Sequence, residues 1–201
     1  MKKIVPLVSF IACLVLVVGC QSKDSKKPSS SQHQSKENSS KGVTSFEVGQ
    51  TYICDDGVYF KIVDEDTYVL FDDAASQYKT EQDLRDASRD SEQSIHPLLY
   101  FYDCHYTKKG DNYIGSGSTE TMMVFSTVAN FKDGKYYRTS DEVRNYKDPV
   151  RIKLGENGYY LASGSKPYDH YYKSNKKIPS TKEEFLKQYT YAPETEDDGR
   201  Y

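Results

Sequence analysis

Cysteines, clustered carboxylates and cations interleaved with tyrosines are the residues of this chain whose types and spacing could do chemistry. Cys54 and Cys104 lie in the body of the sequence. In an oxidising compartment they could form a disulfide closing a loop of about 50 residues, worth roughly 4 kcal/mol in the chain-entropy model. The alternative is two buried free thiols among aromatic neighbours. Neither makes a nucleophile–base dyad locally, because His105 follows Cys104 directly and adjacent strand residues point to opposite faces. Asp55, Asp56, Asp72 and Asp73 converge at one end of a meander if the turns between them close successive hairpins. Four carboxylates in one place would suit Ca²⁺, which takes about six to eight oxygens. Turn aspartates solvated at a sheet edge account for the same pattern, and EF-hand spacing is missing.

Rings and cations alternate in Lys135-Tyr136-Tyr137-Arg138, Arg144-Asn145-Tyr146-Lys147 and Lys166 to Lys173. Such interleaving can grip a polyanion, such as a wall teichoic acid, or stack on sugar rings. It is also how a Tyr-rich β surface stays soluble. Tyr136, Tyr137, Arg138, Tyr168, Tyr171 and Tyr172 would form that face. Charge is uneven: residues 46–103 hold 14 acidic and 4 basic residues, whereas 104–189 hold 10 acidic and 15 basic. The formal net charge of −3 argues against a nucleic-acid partner.

For an enzyme the inventory is poor. His96, His105 and His170 show no metal-ligand spacing, and no H-E-x-x-H, G-x-S-x-G or phosphate loop occurs. Gly115-Ser116-Gly117-Ser118 reads as a linker or turn. A carboxylate pair for glycoside hydrolysis stays open, since its two members can come from distant strands. Apart from Ca²⁺ at the four aspartates, no cofactor is implied.

The elements that must position these groups read as strands. Period-two alternation marks Thr51 to Cys54, Val58 to Val63, Thr67 to Phe71, Leu98 to Tyr106, Asn112 to Gly115, Thr119 to Val128, Lys135 to Thr139, Val150 to Leu154 and Tyr159 to Ser163. Asp56-Gly57, Asp133-Gly134 and Gly155-Glu156-Asn157-Gly158 are turn signals between them. Thr80 to Gln93 is a solvated helix or an insertion loop, with only Leu84 and Ala87 to bury. Ser180 and Glu183 have capping-box spacing ahead of Phe185, Leu186 and Tyr189, which predicts a short C-terminal helix. The fold class is therefore mainly β: an antiparallel meander closed into a small barrel or folded into a sandwich, of about eight or nine strands. The domain spans 46–192, followed by an acidic tail at 193–201.

The other end of the chain carries its address. Lys2 and Lys3 precede an apolar run, Ile4 to Val18, about 15 residues long and shorter than the roughly 20 a spanning helix needs. It ends in Leu16-Val17-Val18-Gly19-Cys20. This resembles the lipobox of bacterial lipoprotein precursors, and the resemblance covers residues 1–20 alone. It implies a signal peptide at 1–19 and a diacylglyceryl thioether on Cys20, with two acyl chains that suffice for stable anchoring. Residues 20–45 then form a Ser/Lys-rich tether without an aromatic residue. Its flavour is similar to that of lipoproteins of low-GC Gram-positive bacteria. Some bacterial lipoproteins carry lipocalin-like barrels, an analogy of fold only with which the strand count is compatible.

The expectation is a lipid-anchored extracytoplasmic protein with one β-rich, non-catalytic binding module. Its partners would be membrane lipid through Cys20 and a cell-wall polymer, a small ligand or an envelope protein. A hydrolase using a carboxylate pair and an adhesion or assembly partner are the competing classes.

Overall fold

The computed structural model describes residues 41–89, 91, 95–163 and 166–194, with the side chains of 146, 147, 163 and 166–168 outside the description. The leader, Cys20, the tether up to residue 40 and the tail beyond 194 lie outside the described residues.

Eight antiparallel strands follow one another round a wall and close on themselves. They are β1 (Thr51–Cys54), β2 (Tyr59–Ile62), β3 (Thr67–Asp72), β4 (Leu98–Lys109), β5 (Asn112–Val124), β7 (Arg138–Gly155), β8 (Gly158–Ser163) and β9 (Lys166–Lys173). β9 pairs back onto β1, with Cys54 opposite Tyr171. The meander is thus a barrel rather than a sandwich, closed at the seam of β1 and β9, while Arg138 to Asn145 of β7 pair with β5 alone. Gly57 and Gly158 sit at φ +93 and +99, the left-handed region that the β1–β2 and β7–β8 turns require.

Alternation divides the side chains between two cores. Tyr52, Phe60, Ile62, Tyr68, Cys104, Tyr106 and their neighbours point inward. The intervening Val69, Phe71, Leu99, Phe101 and Met123 point outward and are nevertheless buried. What covers them is the end of the chain, with Ile178 and Phe185 packed on the outer wall and the Phe185 ring stacked 5.5 Å from Phe101. Tyr68 on the inner face of β3 and Val69 and Phe71 on its outer face are therefore all buried, which is why Thr67 to Phe71 reads as a near-continuous apolar run. Lys61, buried on the outer face of β2, donates to the Ile178 carbonyl and the Ser180 hydroxyl and fastens this covering segment.

The short elements of that layer are α1 (Glu81–Arg89), α2 (Val128–Lys132), α3 (Lys182–Leu186) and a parallel pair of β6 (Lys135–Tyr136) with β10 (Thr190–Tyr191). The C-terminal helix exists, but its cap is one residue later than the sequence suggests. Thr181 accepts from the Glu184 N–H, while the Glu184 carboxylate accepts from the Ser180 N–H. Val128 does not end a strand: Thr127 accepts from the Asn130 N–H and starts α2 there.

Three expectations are corrected. Asn112 to Gly115 and Thr119 to Val128 are not separate strands, and Gly115-Ser116-Gly117-Ser118 is no linker. They belong to β5, whose register shifts between Gly115 and Gly117. A Cβ on Gly115 would stand 3.0 Å from the Tyr68 hydroxyl, and one on Gly117 3.0 Å from the Arg144 carbonyl, so the glycines let side chain and backbone come close. β7 runs 18 residues, absorbing both Arg138 and Val150. The tether does not last to residue 45 either. The Gly42 N–H bonds the Asn157 carbonyl and the Val43 N–H bonds the Tyr171 carbonyl, so the barrel already holds the chain at Gly42.

Candidate ligand-binding site

One end of the barrel is plugged. The segment from Gly42 crosses it so closely that a Cβ on Gly158 would meet the Gly42 carbonyl carbon at 2.5 Å. Phe46 then inserts among five rings, 4.9 Å from Tyr52, 4.9 Å from Phe60, 5.4 Å from Tyr113, 4.5 Å from Tyr159 and 5.5 Å from Tyr171. Offset and edge-on contacts of this kind add to the burial of each ring. Inward-facing residues here are dry, Tyr52 being 0% exposed.

At the opposite end the inward face changes character. Leu70, Asp72, Tyr100, Tyr102 and Met122 share that face through the pairs Leu70–Tyr102, Asp72–Tyr100 and Tyr100–Met122, and all stay partly exposed. The Tyr100 and Tyr102 rings stack at 6.3 Å. Deeper in, Glu120 is buried and lies 2.9 Å from Arg144, whose guanidinium also reaches Glu142 at 3.2 Å. The Arg144 side chain is 47% exposed. Arg138 to Asn145, which β8 does not pair, are exposed on both faces of β7, so water reaches the Arg144 end of the inward face.

Carboxylates crowd the far rim of that mouth. Asp56, in the β1–β2 turn, accepts from the Val58 N–H at 3.0 Å and the Cys54 thiol at 2.9 Å. Asp169, on β9 opposite the inward Leu161, is 7% exposed, and its Oδ2 has no hydrogen-bond partner among the described residues. Burial, and then the charges of Asp56 and Asp55, raise the Asp169 pKa above the carboxylate norm. Asp72 is raised in the same way, by burial first and then by Asp56 and Asp73. Burial also raises the Tyr100 and Tyr102 hydroxyls, helped by Glu120 and Asp72.

The residues singled out in the sequence are distributed differently from the expectation. Cys54 and Cys104 are both free and buried. β1 and β4 are separated in the wall by β2 and β3, three steps of about 4.8 Å, beyond the Cα separation of roughly 7 Å that a disulfide can span. Burial pushes the Cys104 thiol up to about 12 and the Cys54 thiol well above its ordinary value, so both are inert. Asp55, Asp56, Asp72 and Asp73 do gather at one end but are not one ligand set. Asp55 accepts from the His170 N–H, and Asp73 caps a 3-10 turn and pairs with Lys176 at 3.1 Å. Among the described residues no three His, Cys, Asp or Glu side chains are grouped to hold a metal ion.

The basic Tyr face does not assemble. Tyr171 points into the barrel and is buried, because it alternates with Tyr172, whose hydroxyl reaches Asp55 on the outside. Tyr136 packs in the outer core and on Tyr191, Tyr137 lies beside His96 with Arg138 over its ring, and the Tyr168 side chain lies outside the description. Sequence reasoning missed Tyr100, Tyr102, Glu120, Arg144 and Asp169 as a group. Leu98 to Tyr106 did signal that alternate residues of β4 share a face, but nothing local aligns Glu120 and Arg144 beside them.

The fold and site together define the class: an eight-stranded up-and-down antiparallel barrel, packed with rings at one end and polar and tyrosine-walled at the other. Barrels of this size either fill their interior with side chains or hold one small ligand. No family model, no curated protein and no solved structure matches the chain. Among the described residues no helix is long and apolar enough to cross a membrane.

Proposed function

We propose that this is a lipid-anchored extracytoplasmic binding protein whose barrel takes a small ligand through its open end. The observation that carries the reading is the contrast along the inward face, from 0% exposure at Tyr52 to 47% at Arg144. A packed end gives rigidity, and a wet end lined by rings and a few fixed polar groups has the make-up of small-molecule sites. Anchorage rests on the lipobox-like Leu16 to Cys20, and the Lys-containing tether would lie along an anionic membrane surface.

A second reading, a hydrolase acting on an envelope polymer, is favoured by the raised carboxylates Asp72 and Asp169 in that mouth. One experiment addresses both. The full-length chain, extracted from membranes in detergent, is examined by native mass spectrometry before and after denaturation. Binding predicts one small molecule per chain, released intact. Shortened fragments of an envelope polymer would move the assignment to the hydrolase, and a bare chain would count against the carrier.

A further inference from the structure

We propose that the open end binds a small organic cation bearing N–H donors, with Asp169 and Asp72 as its carboxylate partners and the Tyr100–Tyr102 pair as its ring wall. The assignment rests on the reading that the open end takes a ligand, and it names the class of that ligand.

Among the described residues the charge at the mouth is not balanced. Glu120 and Glu142 share Arg144, and Asp56 is occupied by the Val58 N–H and the Cys54 thiol. No lysine or arginine pairs with Asp72 or Asp169 among the described residues. Asp169 adds an independent observation, since it is 93% buried and its Oδ2 lacks a partner among the described residues. Native proteins seldom keep a buried acceptor unpaired, because leaving it so forfeits the hydrogen bonds water would have made. Such an oxygen needs a donor, and the surrounding negative charge selects a donor that carries a positive one. Uncharged hydroxyls would satisfy the hydrogen bond but leave the repulsion among Asp56, Asp72 and Asp169 in place.

The ring wall narrows the class further. Tyrosine faces attract ammonium groups and cover alkyl carbon, whereas a divalent ion such as Ca²⁺ takes a shell of oxygen ligands. Nor do the described carboxylates form the three-membered group a metal would use. A protonated amine with a carbon chain satisfies the orphan oxygen, the charge and the rings together.

The test is isothermal titration calorimetry on the full-length chain in detergent, with spermidine, cadaverine, the neutral 1,5-pentanediol and CaCl₂ as probes. An amine is expected to bind one per chain while the diol does not. Affinity should fall at least about tenfold in Asp169→Asn and in Asp72→Asn, and severalfold as NaCl rises from about 50 to about 300 mM. Glu156→Gln, at the plugged end, should bind as the wild type does. Failure of both amines, equal binding of the diol, unchanged affinity in both Asn variants, or displacement of the amine by Ca²⁺ would each overturn the assignment. A neutral or anionic small molecule found on the protein would overturn the cation while keeping the ligand-binding mouth. A bare chain that also ignores both amines would remove the two together.

Discussion

Asp169 works against the fold at neutral pH, and the sign of that effect is testable. Its pKa is raised in the folded chain, so the folded form holds the proton more tightly than the unfolded form. The stability this contributes is fully present below the ordinary carboxylate value and is lost as pH rises through the raised one. Asp169→Asn should therefore raise the melting temperature at pH 7, by about 1 kcal/mol or roughly 2–4 °C, and the gain should vanish near pH 3. Thermal melts of both proteins across that range check it, and an unchanged or lower melting point at neutral pH would refute the burial argument. Asp141 behaves oppositely. Lys182 and Thr121 hold its carboxyl below the usual range, so its contribution is lost as pH falls. The residue types at Asp72 and Asp169 are plain in the sequence, yet local spacing places Asp72 among turn carboxylates and Asp169 inside a basic run. Only the inward direction of β3 and β9 distinguishes them from solvated aspartates.

Among the elements, the segment Gly42 to Phe46 has the largest effect for its length. It looks like the end of a tether, being short and continuous with a Ser/Lys-rich stretch, but Phe46 fills the space at the centre of five rings. Phe46→Ala should cost about 3 kcal/mol, since the rings around it belong to different strands and cannot all collapse inward. Denaturant unfolding would measure the loss, and dye binding to the exposed rings should rise with it. A variant as stable as the parent would show that the plug is not a structural part of the barrel. α3 was legible from its capping spacing because caps are local, and only its start moved by one residue. Most of β7 was not. Its charged residues fall on both faces, Asp141 paired outward with Lys182 and Arg144 inward with Glu120, so no apolar alternation marks the strand.

At the scale of the whole molecule, the barrel is closed by β1 against β9 and clad on one side by the returning C-terminal segment, whose Phe185 seals the outer faces of β3 and β4. If Cys20 carries the lipid, Cys20→Ala should move the protein from the membrane pellet to the soluble or secreted fraction, or trap the uncut precursor. Fractionation with immunoblotting decides it, and an unchanged membrane share would refute the lipobox assignment. Ligand binding by the detached barrel should be unaltered.

What the sequence determined by itself is local and periodic. Alternation at period two marks the β class, turn glycines mark the hairpins, and capping-box spacing marks the C-terminal helix, all of which depend on neighbours a few residues away. The tertiary structure alone decided the barrel over the sandwich, the separation of Cys54 from Cys104, the dispersal of the basic tyrosines, and the meeting of Asp169, Asp72, Tyr102 and Arg144 at one mouth. Those outcomes depend on strand register and on closure between β1 and β9, contacts more than a hundred residues apart in the chain. A shift of one residue in register would exchange inside for outside along a whole strand, and no local pattern records which alternative the closed wall selects.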